Sequence, residues 1–385
     1  MTLTEVVKEK AYELGFDVVG IAPAKRAPHA EAYTSWVDSG YAATMGYMTR
    51  DVARRKDPRH VLTGAHSVIV VGLSYFVADP PADLWDDPSR GRIARYAWGA
   101  DYHDVMSPRL GQLADFIAYQ ARREVQSRLY VDTGPVLERD FAAQAGLGFI
   151  GKNTCLINPT MGSYLFLGEI LLNLELDYDE PATDSGVQIK FGAHRGPLIN
   201  RGRGPGISMP GIGVSSPPTQ RVATCGACTR CLETCPTHAF PAPYVLDSNR
   251  CISFLTIELK GSIPLELRSL IGNWIFGCDV CQSACPWPRR FSRPSRLPFL
   301  DFNPERIAPK LLDLISLSDD EFRVRFRRTP LWRAKRRGLL RNVAVALGNW
   351  GNPQAVPALR CALDDPEPLI REHAAWALAQ ISNSN

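Results

Sequence analysis

Eight cysteines lie between residues 225 and 285 of this 385-residue chain, and their spacing is the strongest chemical signal in the sequence. Cys225, Cys228, Cys231 and Cys235 precede Pro236 in the run C-x2-C-x2-C-x3-C-P. Bacterial ferredoxins use this spacing to bind a 4Fe-4S cluster through cysteine thiolates. The run therefore predicts an iron–sulfur centre.

The end of that run recurs 50 residues later as Cys278, Cys281 and Cys285. Ile275 stands where the first cysteine of a second run would be, and Cys251 can supply the missing thiolate. In two-cluster ferredoxins the fourth cysteine of each run binds the neighbouring cluster. We therefore predict two 4Fe-4S clusters, one held by Cys225, Cys228, Cys231 and Cys285, and the other held by Cys235, Cys251, Cys278 and Cys281.

Two structural zinc sites are the alternative, because zinc also binds thiolates. Such sites usually pair two C-x2-C halves and lack a third cysteine at this spacing. The remaining cysteines, Cys155 and Cys361, are predicted to be buried packing residues. Clusters pass single electrons, so a further centre must meet the substrate. The segment GLGFIG at residues 146–151 follows a predicted helix and is not typical of a dinucleotide-binding loop.

Alternating helices and strands are predicted in the first half of the chain. Apolar residues at helical spacing indicate helices at 3–14 and 108–127, and short runs rich in Val and Ile indicate strands at 16–22 and 67–75. The predicted fold class is α+β, with a mixed α/β catalytic domain over residues 1–180.

Three further regions follow this domain. Residues 181–220 are rich in Gly, Pro and Arg and are predicted to be a flexible insertion, more a spacer than an additional RNA contact. Residues 221–295 form the predicted ferredoxin-like segment with two clusters. A basic linker and a HEAT-like α-helical repeat are predicted over 296–385, where AVALGN and AWALAQ recur with a period of 31.

The net charge is only +4, but residues 321–341 contain nine Lys or Arg and one acid. A solvated helix face usually mixes both signs of charge. Interleaved Phe326 and Trp332 could stack on bases, so this segment predicts RNA binding. The candidate RNA contacts are Arg323, Arg325, Arg327, Arg328, Arg333, Lys335, Arg336 and Arg337.

The composition, with 45% hydrophobic and 22% charged residues, is that of a globular protein. No apolar run approaches the roughly 18 residues that a membrane span needs. The first residues carry acids and an amphipathic pattern where a secretory signal would be basic and then apolar. These features predict a cytoplasmic protein with reduced cysteines and no membrane partner.

Several blocks of the sequence together resemble the epoxyqueuosine reductase family, and the resemblance covers nearly the whole chain except the insertion. They are YVDTGPVLER, GFIGKNT, GSYLFLGEI, the ferredoxin run, CISFLTIELKGSIP and WIFGCDVCQSACPW. The resemblance implies a cobalamin-dependent enzyme that removes the epoxide oxygen of epoxyqueuosine at the tRNA wobble position. It also implies base-off cobalamin between the N-terminal and cluster domains.

Within YVDTGP, Asp132 matches the proton donor of that family. Without the resemblance, an Asp before Thr-Gly would be interpreted as a turn residue. Asp101, Tyr102 and His103 also match the family. The resemblance places Asp132 at the cobalamin together with Arg55, Arg95, Leu156, Leu167, Ser253, Lys260 and Asp279.

The implied partners are a tRNA anticodon stem-loop and a reduced electron carrier such as ferredoxin or flavodoxin. The protein itself is predicted to be a monomer. Two other hypotheses stay open from the sequence. A reductive dehalogenase-like enzyme for small molecules would share cobalamin and clusters but would not need the basic run or the helical repeat. A two-cluster electron-transfer protein would hold no cobalamin.

Overall fold

The computed structural model describes residues 1–180, 187–188, 222–295 and 303–383. A four-stranded antiparallel sheet in the order β1-β2-β4-β3 organises the N-terminal region. Its strands are β1 (Val18–Pro23), β2 (Ser67–Ser74), β3 (Ser127–Tyr130) and β4 (Leu165–Leu172). The strands predicted at 16–22 and 67–75 are thus present as β1 and β2.

Helices cover both faces of this sheet. On one face lie α1 (Leu3–Glu13) and α3 (Tyr102–Ala121), and on the other lies α4 (Glu138–Gln144). All eight residues of β2 are buried between these layers, which explains its continuous apolar run. The predicted α+β class is confirmed. The remaining helical segments of this region are α2 (Ala30–Asp38), Gly46–Arg50, Val52–Lys56, Pro58–His60, Ala82–Trp85 and Arg95–Ala97.

Helix α3 begins six residues before the predicted start at residue 108 and ends at Ala121 instead of residue 127. The side chain of Asp101 accepts the backbone N–H of His103 and so caps the first turn. Pro108, which the sequence pattern places at the start, lies inside the helix. Arg122 adopts a left-handed conformation with φ of 51° and ends it.

The cluster region is made of short elements joined by loops. Its strand Trp274–Phe276 pairs in parallel with Arg92–Ile93, which ties the region to the N-terminal sheet domain. Two further short pairings are Phe149–Ile150 with Leu156–Ile157, and Val187–Gln188 with Val222–Ala223. The helical segments are Arg230–Glu233, Ser248–Arg250, the π-helix Phe254–Glu258, Leu265–Ile271, Val280–Ser283 and Pro286–Phe291.

The predicted C-terminal helices are present, and the two long ones, Lys335–Trp350 and Pro368–Asn383, pack against each other. A Cβ on Gly348 would lie 2.7 Å from the Trp376 ring, so glycine allows the close approach of the two long helices. Arg341 is buried and donates to backbone carbonyls of Leu255 and Gly261, which fixes the π-helix of the cluster region. The C-terminal helical segments are Pro304–Ile307, Leu311–Ile315, Asp319–Phe326, Pro330–Ala334, Lys335–Trp350, Pro353–Ala355, Val356–Ala362 and Pro368–Asn383.

The insertion predicted at 181–220 lies outside the described residues, apart from the two-residue strand at 187–188. Within the described part of the chain, no helix is both long and apolar enough to cross a membrane.

Candidate functional site

Four of the predicted cluster ligands surround one cavity. It has a volume of about 300 Å³, and the aromatic side chains of Trp287 and Phe291 form part of its wall. Burial raises the pKa of Cys285 to about 12, and the three other thiols add to this rise. The cysteines that line the cavity are Cys225, Cys228, Cys231 and Cys285.

The second predicted set of thiols also lies together. Burial raises the pKa of Cys278, and the neighbouring Cys251 and Cys235 raise it further. The pKa of Cys281 is raised by a hydrogen bond with Cys155, by burial, and by Cys278 and Cys251. Cys155 is therefore a fifth thiol beside the second set, a proximity that the sequence did not reveal. Cys361, by contrast, is exposed, so its predicted burial is wrong.

The spacing of these thiols bears on the choice between clusters and zinc. Thiolates that share one zinc ion lie about 4 Å apart, because each Zn–S bond is about 2.3 Å long. Among the described residues, no group of three or more His, Cys, Asp or Glu side chains is placed to hold a single metal ion. The choice of clusters over zinc rests on the C-x2-C-x2-C-x3-C-P spacing of the cysteines.

The GKNT segment of the N-terminal domain lies between the two sets. The Nζ of Lys152 donates to the carbonyls of Gly226 and Cys228, at 2.8 and 3.1 Å. The amide of Asn153 donates to the carbonyl of Cys281 at 3.5 Å. The sheet domain is thereby held against both cluster loops.

A strained loop at residues 131–134, the Asp132 loop, follows β3. Asp132 has φ of 60°, in the left-handed region that most residues avoid. A Cβ on Gly134 would lie 2.4 Å from the Tyr130 ring, so this turn requires glycine. The Asp132 side chain is 58% exposed and accepts the Tyr102 O–H at 2.6 Å.

Arg333 reaches the same carboxylate from the C-terminal region. Its Nη1 lies 3.8 Å from Oδ2 of Asp132 and donates to the Tyr102 hydroxyl at 3.2 Å. Its Nη2 donates to Nδ1 of His103 at 2.7 Å. The sequence placed Arg333 among RNA contacts through its local charge, whereas the structure shows that it also contacts the candidate proton donor.

Side chains from four parts of the chain surround the space next to Asp132. Burial raises the pKa of Tyr47 to about 12, and the carboxylates of Glu258 and Asp132 add to the rise. The cations Arg55 and Arg333 act in the opposite direction. These groups come from the sheet domain, the π-helix and the C-terminal region, so all three regions lie close to Asp132, and the space that they border is termed the cleft.

Arg55 suits a ligand in this cleft. Its guanidinium donates to the carbonyls of Gly134 and Tyr47, at 3.2 and 3.1 Å. Its Nε is buried and finds no acceptor among the residues that the structure describes. An unpaired buried donor is unfavourable, so an acceptor such as a corrin amide would satisfy it.

Two other predicted cobalamin residues are already occupied by protein contacts. The Arg95 guanidinium donates to the carbonyl of Ala78 and pairs with Asp79 at 2.7 Å. The backbone N–H of Arg95 donates to the buried carboxylate of Asp279 at 2.7 Å. Burial raises the pKa of Asp279 to about 6. These two residues therefore connect the sheet domain to the cluster region.

The remaining predicted cobalamin contacts differ in exposure. Leu156 is buried in the core beside α4, and Leu167 packs partly buried against the same core. Ser253 precedes the π-helix and is half-buried. Lys260 is exposed, and its Nζ donates to the carbonyl of Ile257 at 3.2 Å.

A basic cavity of about 600 Å³ lies beside the Asp132 site. The carbonyl of Arg328 accepts the backbone N–H of Asp101 at 3.0 Å, next to Tyr102. A residue that lines the cavity is therefore hydrogen-bonded to the segment whose side chains contact Asp132. Its arginines are Arg306, Arg323, Arg325, Arg327 and Arg328.

Other side chains of the basic run at residues 321–341 are less accessible to RNA than the sequence suggested. Arg336 forms an ion pair with Asp365, and its side chain is only 13% exposed. Phe326 is 7% exposed, so the expectation that it stacks on bases is wrong. Lys335 lies over the Trp332 ring, 4.7 Å from its centroid. Arg337 is about half-exposed and donates to the carbonyl of Lys260.

Comparison with known families gives three matches along the chain. A family model described as "Epoxyqueuosine reductase QueG, DUF1730" matches residues 55–133. A 4Fe-4S double cluster binding domain matches residues 224–288, and HEAT repeats match residues 333–385. The predicted iron–sulfur chemistry and helical repeat are thus confirmed at the level of these families.

Curated relatives are similar over almost the whole chain. An epoxyqueuosine reductase of Pseudomonas aeruginosa is 39% identical over 382 residues, covering 98% of this chain and 94% of the relative. One of Escherichia coli K12 is 35% identical, covering 98% of this chain and 89% of the relative.

Solved structures have the same fold. A crystal structure of epoxyqueuosine reductase with an epoxyqueuosine-modified tRNA-Tyr stem loop matches with a TM-score of 0.81 at 30% identity. The match covers 98% of this chain and 90% of that one. The Streptococcus thermophilus epoxyqueuosine reductase matches with a TM-score of 0.80 at 27% identity, covering 100% and 91%.

Proposed function

The chain belongs to the epoxyqueuosine reductase family of oxidoreductases, and on this basis we propose that it reduces epoxyqueuosine to queuosine at the wobble position of tRNA. The observation that carries the proposal is the Asp132 carboxyl in a cleft bordered by the basic cavity and the cluster region. Conversion of epoxyqueuosine in a defined tRNA by the purified protein tests it.

The reaction breaks two C–O bonds, forms a C=C bond and releases water, so it consumes two electrons and two protons. We assign Asp132 as the donor of a proton to the epoxide oxygen. The Tyr102 hydroxyl and Arg333 hold its carboxyl group at the cleft. A positioned acid is needed because a departing alkoxide is a poor leaving group.

Cobalamin, when bound, would supply low-potential cobalt for the reduction. Arg55 would donate to an acceptor on the corrin, and Leu167, Ser253 and Lys260 would border it. Leu156 would act through packing, while Arg95 and Asp279 would hold the cleft's two sides together. In this assignment the two thiol sets bind two 4Fe-4S clusters that receive electrons from a reduced carrier such as ferredoxin or flavodoxin.

Anaerobic purification with cobalamin supplied should yield about one cobalt per chain. Arg55→Ala should weaken cobalamin retention about tenfold, because the buried Nε–H is lost together with the two bonds that hold the guanidinium to the Gly134 and Tyr47 carbonyls. Absorbance spectroscopy of the corrin after gel filtration measures retention without turnover. Arg54→Ala, at the neighbouring exposed position, is the control. Equal cobalt in both variants would remove Arg55 from the cofactor site.

The basic cavity is the proposed contact for the tRNA backbone. Replacement of Arg325 and Arg327 by Ala should weaken binding of an anticodon stem-loop. Each arginine that contacts a phosphate releases counterions from the RNA, and this favourable contribution to binding is lost with the side chain. The slope of log affinity against log salt should become shallower by about one for each arginine that contacts phosphate. Fluorescence anisotropy at several salt concentrations measures this slope.

Arg123→Ala is the matched control for that experiment. Arg123 is exposed beyond the end of α3, a helix of 20 residues that begins beside the basic cavity and spans about 30 Å. Its replacement should leave both affinity and slope unchanged. An unchanged slope in the Arg325 and Arg327 variants would place the RNA elsewhere on the protein.

The family membership favours this function over the two alternatives that the sequence left open. The full-length similarity is to epoxyqueuosine reductases, and it includes the helical repeat that a small-molecule dehalogenase would not require. A simple electron-transfer protein would have no use for an acid in a cleft beside a basic cavity.

A further inference from the structure

Two glutamates next to the Asp132 loop, Glu169 buried and Glu138 partly buried, have no part in the chemistry described above. Glu169 lies in the middle of β4 and is completely buried. Side-chain alternation along the strand places it on the α4 face between Leu167 and Leu171, beside Tyr130 of β3. A charged carboxylate in this apolar layer would be strongly destabilising without a partner.

The partner is a second carboxyl group. Among the described residues, no N–H or O–H donor with good geometry reaches either oxygen of Glu169, or Oε1 of Glu138 at the start of α4. The Glu138 and Glu169 carboxyls instead lie against each other, close enough to share a proton. Ionised carboxylates only accept hydrogen bonds, so this contact requires a proton on at least one of them.

The pair also lies beside the Asp132 loop. The backbone amide of Asp132 faces the Glu138 carboxyl and lowers its pKa. Asp132 holds an unfavourable left-handed conformation, which persists only when surrounding contacts fix it. An acceptor that is itself held by a buried neighbour supplies such a contact.

We propose that Glu138 and Glu169 are positioning residues, whose proton-sharing pair fixes the Asp132 loop by accepting the Asp132 backbone N–H. The inference rests on the proposed role of Asp132 as proton donor. When the pair is intact, the Asp132 carboxyl stays at Tyr102 and Arg333, facing the cleft. When the pair loses its proton, the two carboxylates repel each other and the loop is released.

This arrangement has a definite pH dependence. Burial raises the pKa of Glu138 to about 8, the Asp132 carboxylate adds to the rise, and Arg139 opposes it. Burial and the charges of Glu138 and Asp132 raise the pKa of Glu169 well above its ordinary value. The two groups titrate as a pair. Because their folded-state pKa values are raised, the stabilisation is complete below the ordinary glutamate pKa and is lost as the pH rises through about 8.

Hydrogen exchange of the Asp132 amide tests the pair without substrate or turnover. In the wild-type protein, protection of the peptide covering residues 131–137 should fall at least tenfold above about pH 8, after correction for intrinsic exchange. Glu169→Gln keeps an N–H donor toward Glu138 at every pH, so protection should no longer depend on pH. Glu138→Leu removes the acceptor and should lose protection at all pH values. Glu175→Gln, at an exposed position just beyond β4, should behave as wild type.

Infrared difference spectroscopy gives a second readout that does not depend on the variants' activity. The wild-type protein at pH 7 should show the C=O band of a protonated buried carboxyl, and Glu169→Gln should change it while Glu175→Gln does not. The alkaline loss of turnover should likewise disappear in Glu169→Gln. Absence of the band in the wild type, or identical pH-dependent exchange in Glu169→Gln, would overturn the proposal. Failure of the enzyme to convert epoxyqueuosine would leave both of these readouts intact.

Discussion

Asp132→Asn should lose at least about 100-fold in turnover while both clusters and the corrin are retained. Asparagine has nearly the same shape, tolerates the left-handed backbone that Asp132 adopts, and can accept the Tyr102 O–H. It carries no acidic proton, so only the proton-donating role is removed. Single-turnover assays with epoxyqueuosine-containing tRNA, together with iron and cobalt analysis of the same sample, measure both parts of the expectation.

The matched control is Asp83→Asn, because Asp83 is an exposed aspartate in the short helix Ala82–Trp85. It should turn over substrate at the wild-type rate. If Asp132→Asn also retained its rate with full metal content, Asp132 would not be the proton donor.

Cys278→Ser should reduce the iron content from about eight to about four atoms per chain and abolish electron delivery. Cys278 is partly buried beside Cys235 and Cys251, so its replacement leaves three of the four predicted ligands of the second set. Serine is a harder and more basic ligand than thiolate and suits iron–sulfur clusters poorly. Iron analysis and electron paramagnetic resonance of the reduced protein measure the loss of one cluster.

Two further cysteine variants make this experiment specific. Cys361→Ser changes an exposed thiol and should leave the iron content and turnover unchanged. Cys155→Ser tests the ligand assignment more sharply, because Cys155 hydrogen-bonds Cys281 and is the other thiol beside the second set. It should retain about eight iron atoms. Loss of iron in Cys155→Ser would show that the assignment of the second set is wrong.

The sequence predicts the parts of this molecule that depend on local spacing. A ferredoxin run specifies its ligands because the short loop between cysteines must wrap one cluster, and the structure brings together the same two sets of thiols. Strands β1 and β2 are equally predictable, since burial on both faces produces continuous apolar runs.

Contacts between distant segments could not be inferred in this way. Arg333 and Asp132 are separated by 201 positions, and the local charge around Arg333 indicates RNA binding without revealing the carboxylate that it contacts. Phe326 is a second example, because its local sequence suggested an exposed ring whereas the ring is buried. Its neighbours are cationic, but its own ring packs into the core of the C-terminal helices.

Glu169 is the clearest feature of the sequence to which no role could be assigned from the sequence alone. A single acid inside the apolar run LFLGEILL marks a buried strand position with a polar requirement. Its partner Glu138 lies in another motif, VLER, and a first-turn glutamate is ordinarily explained by favourable interaction with the helix dipole. Only the three-dimensional structure brings the two acids together beside the Asp132 loop.

The most direct test of the proposed function is anaerobic conversion of a tRNA anticodon stem-loop that carries epoxyqueuosine. Wild-type protein loaded with iron, sulfide and cobalamin is given a low-potential reductant, and the nucleosides are then analysed by mass spectrometry. We expect queuosine, which is lighter than the substrate by one oxygen atom, and no conversion when Asp132→Asn replaces the wild type. An unchanged epoxyqueuosine signal from fully loaded wild-type protein would contradict the proposed function.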